Sequence, residues 1–325
     1  MNTPAPNRPD KNTHVPIMVD EVLSVLEPKD GGIYVDGTFG RGGHSRAILE
    51  AAATTVFGID RDPAAIVIGA ELGEHWGGRL RILKGRFGDM AVLMASMGIE
   101  RVDGVVLDLG VSSPQLDDAA RGFSFRGDGP LDMRMGDAGP TAADLVNEAE
   151  EQELADIIRT YGEERHAKRI ARAIVEARAE KPLMRTGELA NIIHRIQRKS
   201  KDGLDPATRT FMALRIRVND ELGELERGLN AAEQLLAPGG RLAVISFHSL
   251  EDRMVKTYLR ERSAGGAGVS RHLPAAPGAP LAPIFRLIKR GVIKPSDLET
   301  ASNPRARSAR LRAAERTDAP ARQAA

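Results

Sequence analysis

Two acidic residues and a group of glycines follow two neighbouring apolar runs near the start of the chain. The first run, Ile33–Asp36, ends on an acid and leads directly into a turn that contains Gly40, Gly42 and Gly43. The second run, Val56–Asp60, also ends on an acid. Glycine lets a ligand approach the backbone closely, because it has no side chain. A strand, a glycine turn, a helix and a second strand ending on an acid together predict a nucleotide-type cofactor site.

The chemistry around this turn favours a cationic ligand group. The turn lacks the Gly-x-Gly-x-x-Gly spacing of dinucleotide-binding enzymes. Asp36 suits a positively charged group, such as the amino group of S-adenosylmethionine, better than a pyrophosphate. Asp60 is placed to accept hydrogen bonds from ribose hydroxyls. The alternatives are an ordinary turn of an α/β sheet and a helix N-cap at Asp60, although Asp62-Pro63 fits the cap better.

Further candidates follow the next two predicted strands, Leu80–Lys84 and Val102–Asp108. Phe87 could cover an adenine, or it could be a core residue at a helix start. Ligands of open α/β sheets bind outside the carboxyl ends of the strands, so the loop after Asp108 is predicted to face the same crevice. Asp108 and Ser112 are candidate catalytic residues that could hold a polar target group. The alternative is a simple turn that ends the strand.

A third catalytic candidate, His248, follows the predicted fifth strand, Leu242–Ser246. The carboxyl end of a central strand is a position where functional residues gather, and an imidazole there could accept a proton. A single histidine is more often structural. Ser249 with Glu251 could equally cap the helix that follows.

Basic residues occur in three segments that could contact phosphates. The loop 121–134 combines two phenylalanines with arginines, a mixture that suits a flipped base and its backbone. The segment Glu163–Ala179 predicts a basic helix, and 303–325 is an arginine-rich tail. Solvated loops and helix faces are the alternative interpretation of all three. The candidate RNA contacts are Arg121, Arg126, Arg134, Arg165, Lys168, Arg169, Arg305 and Arg307.

The order of apolar runs predicts an α/β fold with a parallel sheet. The strands are nearly continuous apolar runs, as expected where helices cover both faces. The fifth strand begins 134 positions after Asp108, too far for one crossover helix, so residues 116–206 are predicted to form an inserted helical subdomain. Its predicted helices are Ala142–Thr160, Glu163–Ala179 and Thr186–Lys199. One long helix from Phe211 to Leu236 should lead into the fifth strand, and Ile284–Ile293 resembles a last hairpin or strand pair.

The composition narrows the classes of protein that the chain can belong to. It has 325 residues, 42% of them apolar, which is ample for a large core, and a net charge of +1. The absence of cysteine excludes disulfides, thiolate metal sites and cysteine nucleophiles, and it fits a cytoplasmic protein. No signal peptide is visible, and no apolar run approaches the ~20 residues of a membrane helix. No metal-ligand cluster and no signal for an oligomeric state is apparent.

Seven segments of the chain form a specific combination: Asp36–Ser45, Gly58–Pro63, Leu107–Asp117, Gly129–Met135, Tyr161–Arg165, Ser246–Arg253 and Asn303–Ser308. Together they resemble one enzyme family, the bacterial 16S ribosomal RNA cytosine-N4 methyltransferases of the MraW type. The resemblance extends from about residue 14 to residue 316, with the segments in the family's order.

The resemblance implies a Rossmann-like S-adenosylmethionine-dependent methyltransferase sheet with an inserted helical subdomain. It implies methylation of N4 of one cytidine in the decoding region of 16S rRNA, in the small ribosomal subunit, by a cytoplasmic enzyme that needs no metal and no membrane. The cofactor-binding residues implied are Gly42, Gly43, His44, Asp60, Phe87, Asp108 and Gln115.

Within this family the predicted organisation has five parts. Disordered tails are expected at residues 1–13 and 317–325. The methyltransferase domain is expected in two pieces, 14–115 and 207–316, with 116–206 inserted for recognition of RNA. The second piece is expected to contain a flexible loop at 264–283.

Many amino-methyltransferases carry Asp/Asn-Pro-Pro-Tyr after the fourth strand, whereas Asp108-Leu109-Gly110-Val111 stands here.

Three other functions remain open at the level of sequence. A nicotinamide-dependent oxidoreductase would require the pyrophosphate-type glycine spacing that the turn lacks. A non-catalytic RNA-binding assembly factor would use the basic segments but not the crevice. A DNA amino-methyltransferase is the nearest enzymatic alternative.

Overall fold

The computed structural model describes residues 16–197, 203–264 and 282–322. Seven strands form one mixed sheet in the order β3-β2-β1-β4-β5-β7-β6. Strands β1 to β5 are parallel, and β7 runs antiparallel between β5 and β6. The strands are β1 Ile33–Asp36, β2 Thr55–Asp60, β3 Leu80–Lys84, β4 Val102–Asp108, β5 Leu236–Ser246, β6 Phe285–Leu287 and β7 Arg310–Arg316.

Helices pack on both faces of the sheet and form a separate cluster between β4 and β5. Neighbouring residues of one strand point to opposite faces, so Val35 packs into one apolar cluster and Tyr34 into the other. The helices are α1 Val19–Leu26, α2 Gly43–Ala51, α3 Pro63–His75, α4 Met90–Ser96, α5 Ser113–Asp117, α6 Ala142–Glu148, α7 Glu151–Gly162, α8 Ala167–Glu180, α9 Thr186–Ile196, α10 Ala207–Asn219, α11 Glu221–Leu235, α12 Ser249–Ser263 and α13 Asp297–Ser302. The predicted α/β fold with a helical insertion between β4 and β5 is confirmed, and the predicted parallel pairing holds for β1 to β5.

Two helices predicted as continuous are interrupted. The segment predicted as Ala142–Thr160 forms α6 and α7, which are separated by extended residues at Ala149 and Glu150. The helix predicted from Phe211 to Leu236 breaks at Asp220, whose φ of 51° is left-handed. The apolar spacing continues through both breaks because each pair of helices buries a face. Helix α10 packs its Phe211 into the apolar cluster of the insertion, together with residues of α6 to α9.

The last strand was not predicted. Strand β6 pairs with β7 rather than within Ile284–Ile293, and Ile293 forms an isolated bridge with Leu311 of β7. The arginine-rich tail therefore contributes a central strand. Its apolar residues enter the core, while Arg310 and Arg312 bind the carboxylate of Asp252 on α12 at 2.8 to 3.2 Å.

The predicted tails and loop fall mostly outside the described residues. Residues 1–13 and nearly all of 264–283 are not among them. Of 317–325, the described part still contacts the sheet domain, since the Arg322 amide donates to Glu233 Oε1 at 2.7 Å. Among the described residues, no helix is long and apolar enough to cross a membrane.

Candidate cofactor and substrate cleft

A cleft of about 1510 Å³ opens at the carboxyl ends of β1, β2, β4 and β5. The chain leaves β1 towards β2 on one side, whereas β4 lies on the other side of β1. Ligands of open α/β sheets bind at such a change of direction. The predicted residues His44, Asp60, Phe87, Asp108, Ser112 and Gln115 all line this cleft.

Asp36 holds the glycine turn from inside the protein. It is 1% exposed and does not line the cleft. Its carboxylate accepts from Ser45 Oγ at 2.7 Å and from the Thr38 amide at 3.3 Å. Burial raises the pKa of Asp36. The interpretation of Asp36 as a ligand for a cationic group is therefore replaced by a structural one, in which it fixes the start of α2.

The glycines of the turn are required mainly by protein packing. A Cβ on Gly42 would lie 2.6 Å from the Phe39 ring, and Gly42 has a φ of 72°. A Cβ on Gly43 would lie 2.6 Å from Pro16. Gly43 lines the cleft, whereas Gly42 does not. Gly42 thus acts through the shape of the turn, and Gly43 presents its backbone to the cleft.

His44 and Asp108 face each other at the centre of the cleft. His44 Nε2 lies 3.5 Å from Asp108 Oδ2. Both ring nitrogens of His44 and Oδ1 of Asp108 are buried without a hydrogen-bond partner in the described structure. Burial lowers the pKa of His44, but Asp108 opposes this and the net direction is upward. Unpaired buried polar atoms are costly unless a ligand satisfies them, so these atoms indicate a binding site.

Asp60 and Phe87 form the wall on the β2–β3 side. The Asp60 carboxylate accepts from the amides of Gly40 and Asp62, each at 2.8 Å, and burial raises its pKa. The Phe87 ring fits against Gly228 of α11, where a Cβ would approach it to 2.4 Å. An aromatic face and an acceptor thus lie together at this end.

Asp62 is a site residue that the sequence pattern identified only as a helix cap. It does cap α3, since Oδ1 accepts from the Ala64 amide at 3.0 Å. Its Oδ2 also accepts from Gln115 Nε2 at 2.8 Å and from Arg121 Nη1 at 2.9 Å. Gln115 in turn accepts from the Ser112 amide at 3.0 Å. Gln115 therefore connects the loop after β4 to the end of β2. The dipeptide Asp62-Pro63 predicts the helix cap but gives no sign of this connection.

His248 caps α12 and contacts Glu251 rather than lining the cleft. Its Nε2 lies 3.1 Å from Glu251 Oε1. The alternative prediction of a helix cap is therefore correct for the start of α12. The capping side chain is the imidazole of His248, however, and not Ser249. Ser249 Oγ instead donates to Glu163 Oε2, between α7 and α8, at 2.8 Å.

Glu221, His248 and Glu251 lie close enough together to share a cation. The Arg215 guanidinium already neutralises one of them, because its Nε and Nη2 donate to the two oxygens of Glu221 at 2.7 and 2.8 Å. A divalent ion beside this buried positive charge would be repelled. Arg215, Glu221 and Glu251 line the cleft, and the sequence patterns did not identify Arg215 or Glu221.

The pH dependence of stability offers a test of this cluster. Burial raises the pKa of Glu251, but His248, the charge of Arg215 and the Phe247 amide more than offset it, and the pKa is lowered from its usual 4.5. A lowered pKa stabilises the fold above the pKa of the unfolded state and loses that contribution as pH falls. We expect Glu251→Gln to cost about 2 kcal/mol at pH 7.

The difference between wild type and Glu251→Gln should shrink as pH falls below about 4.5. Urea unfolding of both proteins at several pH values measures it. A difference that stays constant down to pH 3 would contradict the assignment.

The candidate RNA contacts divide into paired and unpaired groups. Arg121 donates to Asp62 and to two carbonyls, Arg134 binds Asp132, and Arg305 binds Asp117 at 2.6 Å. The remaining candidates are exposed, and no described residue accepts a hydrogen bond from their side chains: Arg126, Arg165, Lys168, Arg169 and Arg307. Arg126 lies at the cleft.

The two aromatics of the loop 121–134 belong to the insertion. Phe123 is 6% exposed and lies in its apolar cluster. Phe125 is half-buried and makes an edge-to-face contact with Phe211, with ring centroids 5.0 Å apart. Both rings are therefore engaged in packing, and the predicted use of this loop as a base-stacking surface is not what its contacts indicate.

The cleft fits the S-adenosylmethionine that the resemblance implies. His44 offers two buried ring nitrogens without a partner, at a position where a charged amino acid moiety can bind. Asp60 and Phe87 supply an acceptor and an aromatic face in the same cleft. The chemistry of this donor and acceptor set matches a ligand with ionic and aromatic parts.

Comparison with known proteins agrees with the geometry. Residues 11–317 match the model of the MraW methylase family. A protein of Rhodospirillum centenum named ribosomal RNA small subunit methyltransferase H is 62% identical over 320 residues, covering 98% of this chain and 97% of its own length. The protein of the same name from Rhodospirillum rubrum is 61% identical, with 95% of each chain covered. The chain therefore belongs to the MraW methylase family and is an S-adenosylmethionine-dependent methyltransferase.

Proposed function

We propose that this chain methylates N4 of one cytidine in the decoding region of 16S rRNA, acting in the cytoplasm on the assembled small ribosomal subunit. The names of its relatives support ribosomal RNA of the small subunit as the substrate. The observation that carries the proposal is the pair His44 and Asp108, whose unpaired buried atoms lie in a cleft that can admit a nucleobase as well as a cofactor.

The exocyclic amine of cytosine is a poor nucleophile, because its lone pair is delocalised into the ring. Bound S-adenosylmethionine supplies an electrophilic methyl group. The protein must orient the amine, which lowers the entropic barrier. It must also accept hydrogen bonds from the N–H groups of the amine, which increases the localisation of the lone pair on nitrogen. Asp108 Oδ1 has no partner and lies in the cleft, so we assign it this acceptor role.

The other catalytic candidates act around Asp108. Ser112 lines the cleft in the same loop, and its amide is held by Gln115. His248 is bound to Glu251 and does not line the cleft, so we assign it a positioning role at the start of α12. Retention of full turnover by His248→Asn would agree with positioning, whereas a pH profile displaced by that substitution would instead indicate a proton acceptor.

The exposed cations define the path for RNA. Arg165, Lys168 and Arg169 lie in or just before α8, and Arg126 lies at the cleft. Phosphate contacts from lysine and arginine provide affinity without sequence specificity. We propose that this face of the insertion binds the rRNA backbone while the target nucleotide enters the cleft.

Transfer of labelled methyl groups tests the function. Purified protein is incubated with labelled S-adenosylmethionine and either naked 16S rRNA or small subunits, and the modified nucleoside is mapped. We expect N4-methylcytidine at one position, with small subunits preferred. Methylation of DNA would support the alternative of a DNA amino-methyltransferase. Binding to small subunits without methyl transfer would support the alternative of a non-catalytic assembly factor.

Removing the cations near α8 should weaken RNA binding in a salt-dependent way. For the triple substitution Arg165→Ala, Lys168→Ala and Arg169→Ala, we expect the slope of log K against log salt to fall by about 2, from a contribution of about 0.7 for each phosphate contact. Affinity for S-adenosylmethionine should not change. Arg172→Ala is the control, since Arg172 is paired with Glu176 at 2.9 Å. An unchanged slope in the triple variant would remove this face from the RNA path.

A further inference from the structure

The side chain of Phe247 lines the cleft on its β5 side, where it is separate from the cofactor residues His44, Asp60 and Phe87. Phe247 directly follows β5 and is half-buried. Part of it packs against the apolar cluster that contains Ile245 and Leu311. Its Cδ2 atom lies 3.6 Å from the position that a Cβ would take on Gly110. The ring therefore lies beside the loop that begins at Asp108.

The position of Phe247 is fixed by the sheet and by α12. Asp108 pairs with Ile245 at the end of the β4–β5 register, and Gly110 and Phe247 each follow two residues later, beyond the ends of the strands. The Phe247 amide donates to Glu251 Oε2 at 2.9 Å. The backbone that carries the ring is thus held by α12, and part of the ring packs against the apolar cluster.

Polar groups suited to the edge of a nucleobase lie near Phe247, because Glu251 accepts from its amide and has a carboxylate oxygen within 4.8 Å of one on Glu221. Arg215, Glu221 and Glu251 are all lining residues. The guanidinium of Arg215 uses Nε and Nη2 on Glu221, and none of the described residues accepts from its Nη1. A pyrimidine needs a surface for its ring face and hydrogen-bond partners for its edge, and this wall offers both.

The other aromatic residues of the cleft are in different positions. Phe39 is 2% exposed and packs against Gly42 and Gly58. Phe87 lies against Gly228 on the side of Asp60. On the β5 side of Asp108, Phe247 is the aromatic residue among the described residues that line the cleft.

We propose that Phe247 is the stacking surface for the target base, with the Arg215–Glu221 pair facing the polar edge of that base. This inference rests on the proposed function, in that the base is taken to be one of small-subunit rRNA. Stacking on Phe247 places the exocyclic amine beside the loop of Asp108.

Three substitutions of Phe247 and one control test the inference. Phe247→Leu should lower kcat/KM for methyl transfer to small subunits roughly 10- to 100-fold, the range measured for loss of one base–aromatic contact. Its Kd for S-adenosylmethionine should equal that of the wild type. Phe247→Tyr and Phe247→Trp should retain most of kcat/KM because they keep an aromatic face.

The control is Phe285→Leu, which makes the same change in β6 at a buried position outside the cleft. It should lower thermal stability and leave kcat/KM unchanged. Wild-type kcat/KM in Phe247→Leu, or an equal loss in the leucine, tyrosine and tryptophan variants, would overturn the inference.

The proposed function is tested separately, by identifying the nucleoside that the wild type methylates. The ratio of kcat/KM between variant and wild type can be measured for any methylated nucleoside. If the wild type methylates no RNA, binding decides. In a Trp76→Phe background, Phe247→Trp has one indole, whose emission should be quenched when S-adenosylhomocysteine and small-subunit RNA are added. Absence of quenching at saturating RNA would overturn the inference.

Discussion

Asp108→Asn should lower kcat/KM for methyl transfer by roughly 100- to 1,000-fold, the effect of removing one preorganised polar group from an enzyme site. The substitution keeps the volume of the side chain but replaces one carboxylate oxygen by an amide donor. Because Oδ1 is buried in the cleft without a partner and Oδ2 faces His44, the change affects both the target amine and the imidazole. Single-turnover methyl transfer at saturating cofactor measures the effect.

Asp103→Asn is the matched control for this prediction. Asp103 lies at the opposite end of β4, where it binds Lys29 and the Ile33 amide. It should retain wild-type turnover. An Asp108→Asn enzyme with wild-type single-turnover kinetics would show that the acceptor for the target amine lies elsewhere in the loop.

Asp62→Ala should destabilise the protein by about 3 kcal/mol and reduce its affinity for S-adenosylmethionine. The substitution removes an N-cap, worth about 1 kcal/mol, and leaves the partly buried Arg121 without its carboxylate. Gln115 loses its acceptor as well, so the loop after β4 is no longer tied to the end of β2. Chemical denaturation and cofactor titration measure the two effects.

Asp118→Ala separates the general loss of a cap from the loss of this network. Asp118 is exposed, and its carboxylate accepts from the amide two residues ahead, as that of Asp62 does, with no further side-chain hydrogen bond among the described residues. Its substitution should cost less than about 1 kcal/mol. If the two variants were equally stable, the bonds from Gln115 and Arg121 to Asp62 would contribute nothing measurable.

The sequence predicted those parts of the fold that depend on local pattern. Strands β1, β3 and β4 match the predicted bounds, because each is a mainly apolar run that ends on a charged residue. Strand β7 could not be predicted in this way. Two of its arginines, Arg310 and Arg312, are neutralised by Asp252, which lies 58 and 60 residues earlier in the chain, and no local pattern reveals so distant a partner.

The site shows the same division. The positions of Asp60 and Asp108 follow from where strands end, so the sequence placed both at the cleft. The direction in which a side chain points depends on packing, and Asp36 points inward to Ser45 although it ends a neighbouring strand. The Arg215–Glu221 pair lies where α10 gives way to α11, at a break that the apolar spacing conceals.

The place of β7 in the sheet has a consequence for the synthesis of the protein. Strand β5 pairs with β4 on one side and with β7 on the other, and β7 also carries β6. While the ribosome has made β5 but not yet residues 310–316, β5 is an open edge with apolar faces, a template for pairing with other chains. The sheet therefore closes late in translation. A chain that stops before Arg310 should aggregate rather than fold into a slightly shorter enzyme.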